Sequence, residues 1–233
     1  MSDFISFIHI PKNAGMSFSK LCIANKEKIK FFYHRTDVFD TRIPNQLIIL
    51  QNPVSRFKSS VRYAFENFGH IPIITYLKEK HLNTPNAWVN VLRDPKHPEY
   101  DNLMKEMLNK GTHFIGNKKT IYQWTYCPQT LWVNNPKYVI LFENLKKESD
   151  LLLNKLNIAF DIPHINKTVK NKENDFLSEE NSSWLESVFY KEDVEIYNKY
   201  KQIPVSKRLC LSEENRGVPM TTPRKTYSMS PPL

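Results

Sequence analysis

The chain has 233 residues, 40% of them hydrophobic, which is enough to bury a full core and predicts one globular domain over 1–211. Its formal charge of +9 favours anionic partners without choosing among nucleotide phosphates, acidic glycans and nucleic acid. Three cysteines without CxxC spacing exclude a disulfide framework and a cysteine zinc site. No apolar run reaches the roughly 18 residues of a spanning helix, and the opening Met1-Ser2-Asp3-Phe4 lacks the basic and apolar regions of a signal peptide. A cytoplasmic protein without a membrane partner is therefore expected.

Residues 4–10 form a run of β-branched and aromatic side chains closed by Pro11, which predicts a buried strand, and a helix is predicted over 17–25. Residues 29–33 and 47–50 predict two further strands; the second runs through Asn52-Pro53 into a helix over 54–68. Strands alternating with helices imply an α/β fold, a mainly parallel central sheet flanked by helices, with ligands at the carboxyl ends of the strands.

The segment 72–130, interrupted by Pro85, Pro95, Pro98 and Pro128, reads as an insertion of helices and loops over the site. Residues 138–142 restore a strand, and 146–157 predict an amphipathic helix with Leu151, Leu152 and Leu156 on its apolar side. Beyond Ser178-Glu179-Glu180, Leu185, Val188, Phe189, Val194 and Tyr197 predict the buried face of two helical segments. Residues 212–233, rich in Pro, Ser and Thr, read as a flexible tail. Trp88, Trp124, Trp132 and Trp184 read as core rather than as a sugar cleft.

The first strand-to-helix turn, His9-Ile10-Pro11-Lys12-Asn13-Ala14-Gly15-Met16-Ser17-Phe18, is the first feature with chemical content. Backbone N–H groups at a helix start point at an anion, the helix dipole adds about half a positive charge, and a lysine adds a full one. The Walker pattern GxxxxGK[ST] and the dinucleotide pattern GxGxxG are both absent, which argues against a P-loop kinase and a Rossmann dehydrogenase.

These residues resemble the PAPS-dependent carbohydrate and heparan-type sulfotransferases, where PAPS is 3′-phosphoadenosine 5′-phosphosulfate. Their first loop reads H-x-P-K-T-G-G-T-S-F, and their second, R-D-P-x-x-R-x-x-S, is similar to Gln51-Asn52-Pro53-Val54-Ser55-Arg56-Phe57-Lys58-Ser59. Phe142-Glu143-Asn144-Leu145 is similar to the family's F-E-N-L, and Tyr190, Asp193 and Tyr197 match its Y-x-x-D-x-x-x-Y. The resemblance implies a P-loop-NTPase-like sulfotransferase fold and PAPS as co-substrate. Pro11, Lys12, Asn13, Ala14, Gly15, Met16 and Ser17 would hold the 5′-phosphosulfate, and Gln51, Arg56 and Ser59 the 3′-phosphate. Gln51 stands where the family has arginine, a loss of charge worth about tenfold in affinity.

Sulfuryl transfer needs a base for the acceptor hydroxyl and a cation at the leaving phosphate. Lys12 fits the second role. His34, which follows the strand 29–33, fits the first, in agreement with the catalytic histidine of heparan 2-O-type members. The acceptor is expected to be a hydroxyl on a glycan; no metal and no nucleic-acid partner is expected, since the histidines have no ligand spacing and the lysines are spread along the whole chain. The competing reading is a degenerate protein of this fold that binds a nucleotide or polyanion without transfer.

Overall fold

The computed structural model describes residues 4–33, 43–67, 72–108, 113–115, 118–120, 126–133, 135–160 and 175–211. Its centre is a four-stranded, all-parallel sheet in the order β2-β1-β3-β6, built from β1 (Ile5–His9), β2 (Ile29–Tyr33), β3 (Gln46–Leu50) and β6 (Tyr138–Leu141). The short hairpin of β4 (His113–Ile115) and β5 (Lys118–Thr120) stands apart. The α/β expectation holds. The order of the strands was not read from the sequence, and it is what positions the site.

Alternation along β1 assigns its two faces. Ile5 and Phe7 pack with Leu47, Ile49 and Ile140 beneath helices α1 (Gly15–Ala24) and α6 (Leu145–Lys155). Ile8 packs with Ile48, Leu50 and Val139 against Leu131, Trp132, Tyr197 and Tyr200, from a 3₁₀ turn (Gln129–Trp132) and helix α8 (Lys191–Gln202). A third core joins α2 (Pro53–Asn67) to α3 (Pro72–Glu79), α4 (Pro85–Arg93) and α5 (Tyr100–Leu108), with Trp88 at its centre. Trp88 and Trp132 are fully buried, as a core role requires; Trp184 is half-buried against the third core, and Trp124 lies outside the described residues. No helix among the described residues is long and apolar enough to cross a membrane.

Several element readings shift. Helix α1 starts at Gly15, two residues before the predicted start, because Ala14 takes a left-handed conformation (φ 56°) and turns the chain directly into the helix. In α6 the buried set is Glu148, Ser149, Leu152 and Leu153, with Leu151 45% exposed. Positions 149, 152, 153 and 156 form one helical stripe, and 151 falls on the other side of it.

Val188 is 49% exposed rather than core. Residues Leu185–Phe189 form a π turn following α7 (Glu179–Trp184), closed by the Tyr190 amide donating to the Leu185 carbonyl at 2.7 Å. The wider turn inserts a residue and resets the phase, so that α8 buries Asp193, Tyr197 and Tyr200. The tail 212–233 lies outside the described residues.

Candidate functional site

β1 connects through α1 to β2 on one side, and the chain then returns to place β3 on the other side of β1. The junction of β1 and β3 is therefore a topological switch point, where connections leave in opposite directions, the place at the carboxyl edge where open parallel sheets bind their ligands. The two predicted loops sit there side by side: Ile8 registers with Ile48 two residues before the first loop, and the second begins directly after Leu50. β2 ends at the same edge, Tyr33 registering with His9. His34, the proposed base, follows Tyr33 in sequence and lies outside the described residues.

The first loop folds tightly. The Asn13 amide donates to the Ile10 carbonyl at 3.1 Å, and Lys12 (φ 69°) and Ala14 both adopt left-handed conformations. The amides of Ser17 and Phe18 return to the Ala14 carbonyl, and no side chain caps the helix. Pro11, Asn13, Gly15 and Ser17 are buried; Lys12 and Ala14 are half-buried, and Met16 is exposed.

Gly15 is required by its neighbour. A Cβ built there would lie 1.6 Å from Nε2 of His9, whose ring packs against Phe31 at 5.5 Å between centroids. Gly15→Ala must displace that ring, and a loss of about 1–3 kcal/mol is expected in denaturant unfolding. Pairing it with His9→Ala is expected to restore most of the loss; equal stability of Gly15→Ala and wild type would contradict the packing.

Asn13 acts as a pin. Its Nδ2 donates to the Ile49 carbonyl at 2.7 Å and to Gln129 Oε1 at 2.6 Å. Gln129 in turn donates from Nε2 to the Gln51 carbonyl at 2.7 Å and accepts the Gln51 amide at 3.0 Å, so one side chain holds both loops. Asp193 holds Gln129 from behind, accepting its amide at 2.6 Å and that of Thr130 at 2.9 Å. Burial pushes the Asp193 carboxyl up, and the two N–H donors and Arg56 oppose the shift.

The second loop is fixed as firmly. Asn52 caps α2, its Oδ1 accepting the Ser55 amide at 3.0 Å, while its own amide donates to Glu143 Oε1 at 2.8 Å. Tyr197 hydrogen-bonds Glu143 from α8, and Tyr190 donates to the Tyr126 carbonyl at 2.7 Å. Arg56 is fully buried and donates from Nε to the Pro11 carbonyl at 3.0 Å and from Nη1 to the Cys127 carbonyl at 2.8 Å. Gln51 is buried, and its Oε1 has no partner among the described residues; Ser59 is half-buried on α2.

No protein family, no curated protein and no solved structure matches this chain. The site is argued on its own geometry.

Lys12 is the chemically distinctive group. Its Nζ lies 3.4 Å from the ring centroid of Tyr63 on α2, a cation–π contact. Burial, then the nearby Arg62, lowers its pKa from 10.5 to about 7; Arg56 adds to the effect and Glu66 opposes it. Between these two values the unfolded chain keeps a proton that the folded chain has lost, so this lysine makes stability rise with pH across that window. Lys12→Met removes the group. Its stability advantage over wild type is expected to be largest below about pH 7 and to shrink towards about pH 10.5. Thermal unfolding across that range checks this, and a gap independent of pH would contradict it.

Sequence reasoning missed Gln129 as the residue joining the loops, and Tyr63 as the platform for Lys12. The signal for the first was Asp193, whose place in the Tyr190–Tyr197 pattern marks what anchors Gln129.

Proposed function

We propose that this chain is a PAPS-dependent sulfotransferase of the P-loop-like sulfotransferase fold, acting on a hydroxyl of a carbohydrate. The observation that carries the reading is convergence. The four stretches that resemble sulfotransferase motifs, 9–18, 51–59, 142–145 and 190–197, meet at the switch point in two adjoining hydrogen-bonded clusters: Asn13, Gln51 and Asp193 on Gln129, and Asn52 and Tyr197 on Glu143. Matches arising by chance have no reason to meet in space.

In this reading the acceptor oxygen attacks sulfur, the S–O bond to the 5′-phosphate breaks, and its electron pair goes to the phosphate oxygen. Lys12 and the N–H groups opening α1 face that developing charge. A lysine with a pKa near 7 is recharged by an arriving polyanion, so binding takes up a proton above neutrality. The acceptor's proton passes to His34, whose place in the sequence directly after β2, a strand that ends at the same sheet edge, supports the assignment.

A second reading is favoured by Gln51 and Arg56. Gln51 brings no charge, and Arg56 serves two backbone carbonyls, so the second loop supplies less positive charge than the family pattern implies. A protein of this fold that binds a nucleotide or polyanion without turnover fits those two residues. Incubation with PAPS and a panel of glycan hydroxyl acceptors separates the readings. Acceptor-dependent release of adenosine 3′,5′-bisphosphate, lost in His34→Ala, supports transfer; binding of PAPS without release across the panel supports the second reading.

A further inference from the structure

The charge available to an anion at the switch point is not where the sequence pattern puts it. The second loop opens with the neutral Gln51, and Arg56 is buried beneath the first loop on the Pro11 and Cys127 carbonyls. On α2, Arg62 follows Ser59 by three residues and adjoins Tyr63, the ring that carries Lys12. Residues three and four apart share a helix face, so Ser59, Arg62 and Tyr63 form one patch beside the first loop. Among the described side chains, Arg62 exerts the strongest electrostatic influence on Lys12.

In the free protein Arg62 is paired with Asp175, whose Oδ2 accepts from its Nη1; Glu66, the carboxylate that also acts on Lys12, is more distant from Arg62, at 3.9 Å from Nε. The pairing is incomplete: Asp175 uses one oxygen, and its Oδ1 is buried without a partner among the described residues. A guanidinium prefers a two-pronged contact with an oxyanion, and a phosphate offers three oxygens and more charge than a carboxylate.

We propose that Arg62 supplies the second positive charge of the anion site, and that Asp175 is an internal stand-in which an incoming phosphate group displaces. This inference rests on the sulfotransferase reading for the identity of the ligand and goes beyond it in naming the residue that replaces the missing arginine. It makes Asp175 a brake on affinity.

The test is calorimetric titration of wild type, Arg62→Gln and Asp175→Asn with adenosine 3′,5′-bisphosphate at one fixed ionic strength. Arg62→Gln is expected to bind about tenfold more weakly, the change carried by one charge-assisted contact, and Asp175→Asn about three- to tenfold more tightly. Wild type without affinity for the bisphosphate overturns both the sulfotransferase reading and this inference. Wild-type binding with both variants within about twofold of it overturns the Arg62 assignment alone. Weaker binding by Asp175→Asn overturns the displacement and makes Asp175 a support for Arg62. Because Asp175→Asn is expected to gain affinity, a fold weakened by Arg62→Gln does not imitate the predicted pair of results.

Discussion

Replacing either Glu148 or Arg208 by alanine is expected to destabilise the chain by about 3–5 kcal/mol, the cost of leaving one member of a buried ion pair alone. Both side chains are excluded from solvent, at 0% and 2% exposure. Glu148 Oε1 accepts Arg208 Nη2 at 2.5 Å, and Oε2 accepts the Leu141 amide at 2.9 Å at the end of β6. Arg208 donates from Nη1 to the carbonyls of Tyr200 and Ile203, so the pair clamps the end of α8 to the edge strand. Domains of this kind are stable by about 5–15 kcal/mol, and such a loss unfolds a measurable fraction of the protein. The double replacement by leucine is expected to cost less than the sum of the single ones, since no charge is left unpaired. Urea unfolding of wild type and the three variants checks both statements; single losses below about 1 kcal/mol would contradict the account of the pair.

Lys12→Ala is expected to lower the rate of sulfuryl transfer by about 10²–10³, the usual effect of removing one preorganised group from a developing negative charge. It is also expected to weaken nucleotide binding. The fold is expected to survive, since the Lys12 side chain packs on the Tyr63 ring while the loop is held by Asn13, Gln129 and Arg56. Steady-state kinetics with circular dichroism as a control separates the two effects. Full activity in Lys12→Ala would remove this residue from the chemistry.

Much of the site was legible because it depends on local pattern. A β-branched run ending in Pro11, then Lys12 and Gly15, specifies a strand-to-helix turn whatever surrounds it, and Asn52-Pro53 specifies a helix start in the same way. What was not legible depends on distance along the chain. Gln129 joins the loops across 78 residues from Gln51, and no periodicity marks such a contact. Arg56 illustrates a different limit: a guanidinium fork suits backbone carbonyls as well as phosphates, and spacing alone does not distinguish them. The strand order was hidden because each strand's own sequence states its burial but not its neighbour. Val188 was misplaced because one π turn shifts the helical phase, and hydrophobic periodicity assumes a regular helix.

The central claim is that the switch point between the β1 and β3 loops binds a nucleotide phosphorylated at both the 5′ and 3′ positions. Calorimetric titration of the wild-type chain with adenosine 3′,5′-bisphosphate, with 5′-AMP and ATP–Mg²⁺ as controls, tests it most directly. The account predicts at least about tenfold tighter binding of the bisphosphate than of 5′-AMP, the contribution of one charge-assisted phosphate contact. Equal affinity for the bisphosphate and 5′-AMP, or no binding of either, would contradict it.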